Sequence, residues 1–413
     1  MGGNKKYSGY KAYSYLEPEK DYEKIEYREP LVKEWVYTYP LSKEEEIRFK
    51  EFMDKNVVID LHEHPVLSPK NMAQDYNNQG REVLAYDALA ISGIDAVFDN
   101  MMDGGCAITS KHGNHWTDVV QNLGMRLCDL RQQGFAIHCR GVDDIYDAFK
   151  NGKLAWIGVI ETLNCIENEV DRIDVLYGLG VRQAGITYSE SNMLGSGLKE
   201  KGDSGLTDFG YDCVARMNKV GMLIDVSHCG DKTALDTIQM SSKPIIISHC
   251  GSRTLTPTVR MLPDDVIHEL AKRDGVFGVE MAGAVVTTKK HPVASLESYM
   301  EQTEYCIKTF GIDHVGWGPD TMYGDHIQLY KIGAKKNNTK GMGHSKKPGA
   351  PQHEFLGMAM NLDALPEYVK GMENPTESIP NAIRWMINHG YSDSEIAKVA
   401  GLNALRVLKQ VWK

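Results

Sequence analysis

The sequence predicts an α/β fold of the (β/α)8 TIM type, with an N-terminal extension and a long insertion after the last strand. Three observations predict it. From Asn56 onward, short apolar runs alternate with amphipathic stretches, as in repeated strand and helix units. Eight such runs read as strands, and no GxGxxG follows an early one, which disfavours an open dinucleotide-binding sheet. Imidazoles and carboxylates recur at the carboxyl ends of these runs, where a barrel of this kind carries its chemistry.

The strands are expected at VVIDLH (57–62), DAVFDN (95–100), LAWIGVIE (154–161), VRQAGIT (181–187), MLIDVSH (222–228), PIIISH (244–249), GVFGVE (275–280) and HVGWGPD (314–320). A further extended stretch, FAIHCRG (135–141), exceeds the count of eight and is expected as a strand within a loop. Helical patterns fill 114–134, 208–221 and 263–275, the last opening with Pro263, which suits a helix start.

Residues 1–50 are rich in Tyr and Glu and lack a sustained apolar period, so they are expected as an extension preceding a metal-dependent hydrolase barrel over 51–413. Its tyrosines suit packing on the barrel or on a partner subunit, and a homo-oligomer is the expected assembly. The polar stretch 331–354 is an insertion too long for a turn and is expected to act as a loop or lid.

With 413 residues, 42% hydrophobic and 25% charged, the chain has the make-up of a globular protein. Its net charge of −10, with no basic stripe, argues against a nucleic-acid partner. No apolar run approaches the length needed to span a membrane, and the N-terminus lacks the apolar core of a secretory signal, so a cytoplasmic location is expected. Eight scattered cysteines without a CxxC pair read as reduced thiols.

The tetrapeptide SHCG occurs at 227–230 and again at 248–251. Neighbouring side chains of a strand face opposite sides, so His228 with Cys229, or His249 with Cys250, cannot share one metal while extended. Each repeat is therefore expected to present one histidine. Together the strand ends supply His62, His64, Glu161, His228, His249 and Asp320. Gathered at one mouth, such groups are costly to bury unless paired or bound to metal. His62 and His64, two residues apart, fall on one face of a strand. A glutamate between two histidine pairs is a natural bridge for two ions, and imidazole with carboxylate suits zinc, with iron, manganese or cobalt as other occupants. Two such ions would hold a shared water, bring its pKa toward about 7 and polarise a carbonyl.

The ordered segments VVIDLHEHP, KLAWIGVIE, YGLGVRQAGITYSESN, GMLIDVSHCG, KPIIISHCGSR, VRMLPDDVI, HVGWGPD and GLNALRVL resemble the membrane dipeptidase (renal dipeptidase) family of zinc peptidases, within the amidohydrolase-like barrels. The resemblance implies that His62, His64 and Glu161 hold one zinc, and that Glu161, His228 and His249 hold the other. It implies that Asp320 handles the proton of the bridging water and that Arg260 takes the substrate's terminal carboxylate. The chain departs from the family twice. His64 stands where the family has an aspartate, which makes the first site more positive. Tyr188 stands where members carry a histidine facing the scissile group; it can donate a hydrogen bond to an oxyanion but cannot act as imidazolium.

Among neighbouring residues, Asp225 and Ser227 are expected to orient the ring of His228. His112 and His115 are candidates for the mouth or for solvent, and Trp317 for core packing. The function expected is a binuclear metal hydrolase opening an amide or peptide bond in a dipeptide or other small carboxylate-bearing substrate. The alternatives are action on a different small amide, lactam or ester, a decarboxylase, and a non-catalytic binding barrel.

Overall fold

A computed structural model describes residues 5–75, 81–101, 115–282, 286–324, 327–328, 354–355, 358–359 and 368–413. Every predicted strand run contains a strand. They are β1 (Ile59–Leu67), β2 (Ala96–Asn100), β4 (Leu154–Ile160), β5 (Val181–Gly185), β6 (Leu223–Asp225), β7 (Ile246–Cys250), β8 (Val276–Val279) and β9 (Val315–Trp317). The loop stretch at 135–141 yields β3 (Ala136–His138), which pairs with β4 but lies off the main path. A two-residue strand, β10 (Met322–Tyr323), pairs with β1.

All pairings in this sheet are parallel, in the order β10, β1, β2, β4, β5, β6, β7, β8, β9. Helices connect successive strands, giving a curled parallel α/β sheet. Because parallel strands are covered on both faces, their runs are continuously apolar rather than alternating. β4 makes this plain: all seven of its residues are buried. Leu154, Trp156 and Ile160 join one apolar cluster, while Ala155, Ile157 and Val159 join another that includes Leu405 and Leu408 of the helix Asn403–Val411.

The helical patterns at 114–134, 208–221 and 263–275 become the helices Trp116–Leu130, Asp208–Val220 and Asp264–Lys272. Thr207 caps the second by accepting from Gly210 N, and Gly221, at φ 90°, ends it in the left-handed conformation that favours glycine. Pro263 is the N-cap residue of the third.

Close strand approach positions the site. A Cβ on Gly185 would lie 1.9 Å from the carbonyl oxygen of Glu161, so only glycine at the end of β5 lets the end of β4 come this near. Below that level, Arg126 is buried between Asp99 (2.7 Å) and Glu82 (3.0 Å), and Trp156 Nε1 donates to Asp99 at 2.6 Å.

The boundary drawn at residue 50 falls inside a helix, Lys43–Lys55, which opens with a capping box between Ser42 and Glu45. Upstream, Tyr10 Oη and Tyr13 N both donate to Asp129 Oδ1, at 2.6 and 2.7 Å, while Tyr37 N and Tyr39 N donate to Glu377 and Asn381. His112 and the 331–354 insertion, apart from Glu354 in a short antiparallel hairpin, lie outside the described residues.

Candidate metal centre

The strand ends bring six predicted side chains into one cluster. His62 is on β1 and fully buried, and His64, two residues on, is partly exposed. Glu63 between them turns away and accepts from Thr321 N at 2.7 Å and Thr321 Oγ1 at 2.9 Å. Glu161 follows β4, His228 follows β6, His249 lies on β7 and Asp320 follows β9.

Glu161 is central to the arrangement. Its Oε1 lies 3.0 Å from His228 Nε2, 3.4 Å from His249 Nε2 and 3.7 Å from His62 Nε2. Asp320 Oδ1 lies 3.3 Å from His64 Nε2 and 3.6 Å from His62 Nε2. Asp320 adopts φ 55°, a left-handed conformation uncommon outside glycine, and its N–H donates to His62 O at 3.0 Å. Donor atoms of His62, His64 and Glu161 lie within 4.8 Å of one another, and so do those of Glu161, His228 and His249. These are the two trios named from the sequence; His62, His249 and Asp320 form a third.

The electrostatics favour a cation. Burial holds the His228 imidazole below its ordinary pKa, helped by the charge of Arg260, and holds His249 well below. Both are therefore neutral at pH 7, yet their Nε2 atoms lie 2.9 Å apart and both face Glu161. Burial opposes a charge on Glu161, but the facing imidazoles of His228, His249 and His62 hold the carboxyl well below the usual range. Burial also opposes a charge on His64, but Asp320 and Glu161 outweigh it and push the imidazole up to about 9. Ring nitrogens and carboxylates converging at these distances are a fitting donor set for a divalent ion such as zinc, which would displace the proton of His64.

Asp225 corrects one expectation. It accepts from Ser227 Oγ at 2.6 Å, from Ser248 N at 2.9 Å and from the Ser248 hydroxyl. Ser248 Oγ, donating to Asp225, is left to accept from His249 Nδ1 at 2.7 Å, which assigns the proton to Nδ1 and the lone pair to Nε2. The Asp225 network thus orients His249, not His228, whose Nδ1 has no hydrogen-bond partner among the described residues.

Cys229 and Cys250 stay out of the cluster. Both are buried, and burial pushes their thiols up to about 12 and about 11. Tyr188 stacks on His228 with ring centroids 4.2 Å apart. Trp317 is fully buried core, and His115 stands exposed before the helix Trp116–Leu130.

Asn100, the last residue of β2, was absent from the sequence expectation. Its Nδ2 lies 2.5 Å from Glu161 Oε2 and 3.3 Å from His62 Nε2. The signal was a polar pair, Asp99 and Asn100, closing an apolar run. Arg260 is fully buried: Nη1 donates to Ser227 O at 3.3 Å, Nη2 to His249 O at 3.2 Å, and Nη2 lies 2.7 Å from Glu280 Oε2.

The sequence pattern of the membrane dipeptidase family (Peptidase family M19) matches residues 46–329 and 350–413. The chain belongs to the membrane dipeptidase family.

Relatives of this membrane dipeptidase family member include Dipeptidase tcpJ of Claviceps purpurea (strain 20.1), 25% identical over 313 residues. That match covers 73% of this chain but only 64% of the relative's length. An amidohydrolase from Pseudomonas aeruginosa superposes with a TM-score of 0.70 at 24% identity, covering 88% of this chain and 99% of that one. A metallopeptidase from Rhodobacter sphaeroides, liganded with a phosphinate mimic of the dipeptide L-Ala-D-Ala, gives 0.63 at 18% identity, covering 87% and 100%. At these identities the two structures speak to the fold. Among the described residues, no helix of this family member is long and apolar enough to cross a membrane.

Proposed function

We propose that the protein is a binuclear metal-dependent hydrolase that opens an amide or peptide bond in a dipeptide or another small substrate. The observation that carries this reading is the position of Glu161 Oε1 within 3.7 Å of the Nε2 atoms of three histidines from three strands. Two divalent ions, zinc first among the candidates, would supply Lewis acidity for the scissile carbonyl and lower the pKa of the attacking water. His62, His64 and Glu161 would hold one ion, and Glu161, His228 and His249 the other.

The chain's own groups have complementary tasks. Burial opposes ionisation of Asp320, but hydrogen bonds from His62 and His64 hold it well below the usual carboxylate range, so it stands ionised, the form a general base needs, and its place beside both rings suits it to take the proton of the attacking water and return it to the leaving amine. Tyr188, fixed against His228, would donate its hydroxyl to the developing oxyanion. Asn100 would keep Glu161 and His62 in register through its amide. Family membership and the L-Ala-D-Ala mimic bound by the Rhodobacter sphaeroides neighbour support the choice of dipeptides for a first screen.

A second reading has a specific observation behind it. The ion contact between Arg260 and Glu280 favours a small amide, lactam or ester lacking the free carboxylate that Arg260 was expected to take. The metal-loaded protein, assayed on dipeptides of both C-terminal stereochemistries, their amides and N-acyl amino acids, separates the two. Turnover of none of these with zinc, manganese or cobalt would count against the hydrolase.

The same reading closes the sheet as an eight-stranded barrel, supported by β9 pairing with β8 while β10, five residues on, pairs with β1. It places the N-terminal segment as an extension braced on the body through Asp129 and Glu377, with a homo-oligomer as the assembly. Free cysteine thiols fit a reducing cytoplasm.

A further inference from the structure

Arg260 and Glu280 form a fully buried ion pair directly behind the cluster of histidines. Both side chains are inaccessible to solvent, and Arg260 Nη2 lies 2.7 Å from Glu280 Oε2. Arg260 comes from the segment after β7, while Glu280 follows the last residue of β8, its N–H donating to Cys250 O. A guanidinium has five N–H donors in a fixed plane, and a carboxylate engages it best by taking two along one edge. Here Nη1 already donates to Ser227 O, and Nη2 both donates to His249 O and makes an ion contact with Glu280, while Nε has no hydrogen-bond partner among the described residues. Nη2 belongs to both edges that a bidentate carboxylate uses from the end of the fork, so an incoming carboxylate finds that atom occupied. A buried arginine also needs a counter-charge in the resting protein, and Glu280 is the carboxyl placed to supply it: burial pushes its pKa up to about 8, and the Arg260 guanidinium pulls against that rise.

We propose that Glu280 is a specificity-determining residue that takes, from within the chain, the place at Arg260 that a substrate carboxylate would need. The preferred substrate then presents a neutral group toward the end of β7: a carboxamide, lactam or ester rather than a free acid. Arg260 becomes a positioning residue, tying the backbone carbonyls of Ser227 and His249 together and so fixing the spacing of His228 and His249. This deepens the hydrolase reading and rests on it for the word substrate; the occupied Nη2 does not.

The test compares a dipeptide acid with its C-terminal carboxamide on the metal-loaded protein. In parallel, calorimetry measures binding of N-acetyl-alanine and N-acetyl-alaninamide, which needs no turnover. The wild type is expected to show no preference for the acid in kcat/KM or affinity. Glu280→Gln frees the guanidinium, and the acid-to-amide ratio should rise about tenfold or more, the scale of a charge-assisted pair. The double variant Arg260→Met with Glu280→Met removes both charges and should keep the wild-type ratio, and it decides the matter alone if Glu280→Gln does not fold. A wild type that prefers the acid about tenfold, with that preference lost in the double variant, overturns the proposal. So does a folded Glu280→Gln with an unchanged ratio. Absence of turnover on every substrate removes the hydrolase reading, while the binding ratios still decide the role of Glu280.

Discussion

His228 Nε2 and His249 Nε2 lie 2.9 Å apart, one just past the end of β6 and the other on β7, with Glu161 Oε1 3.0 and 3.4 Å from them. Three donor atoms from three strand ends, all within 3.4 Å of one another, make this trio a candidate site for a cation. Their supports differ: His249 is held through Ser248, and His228 Nδ1 has no such partner among the described residues.

Ser248→Ala should therefore weaken metal binding by about 10–100-fold, because the His249 ring loses the acceptor that fixes its tautomer. Chelator competition measures this, with circular dichroism as the control for folding. Unchanged affinity would show that the ring is held by packing alone.

His64 gives the site a pH dependence whose sign follows from its raised pKa of about 9 against an ordinary 6.5. In the metal-free protein the protonated ring stabilises the fold fully below about 6.5, and that contribution is lost as pH rises through about 9. An ion binding through His64 must displace this proton, so affinity should rise about tenfold per pH unit between those limits and then level off. Metal titrations from pH 6.5 to 9.5 should show the slope in the wild type and not in His64→Asn.

Much of this was legible in the sequence because strand ends carry their own punctuation: an apolar run closing on SH, IE or GPD states both the element and the chemistry. All eight runs became strands, and both ligand trios were named from them. Partners across the sheet were not legible. Asn100 meets Glu161, Asp225 meets Ser248 and Glu280 meets Arg260 only after β2 joins β4, β6 joins β7 and β8 joins β7, and nothing local marks those pairs. The reach of β1 to Leu67, beyond the expected end at His62, also depends on pairing, here with β10 through irregular register.

Arg126→Met should destabilise the protein by about 3–5 kcal/mol, because it leaves the carboxylates of Asp99 and Glu82 buried without their shared cation. Denaturant unfolding at pH 7 measures it. A loss below about 1 kcal/mol, the scale of a surface pair, would mean the carboxylates find other partners.

Deleting residues 1–41 should lower the melting temperature, since it removes the donors from Tyr10 and Tyr13 to Asp129 and from Tyr37 and Tyr39 to Glu377 and Asn381. The intact Lys43–Lys55 helix keeps its cap residue Ser42 in this variant. Light scattering on the same sample reports whether the segment also joins subunits.

The most direct measurement is metal content per chain in the wild type and in Glu161→Gln, by elemental analysis after loading with zinc and removal of excess. Glu161 belongs to both proposed trios, so the wild type should hold two ions and the variant should lose them together with activity, with its folded spectrum intact. A wild type that binds neither zinc, manganese nor cobalt, or a Glu161→Gln protein that retains both ions, would contradict the account.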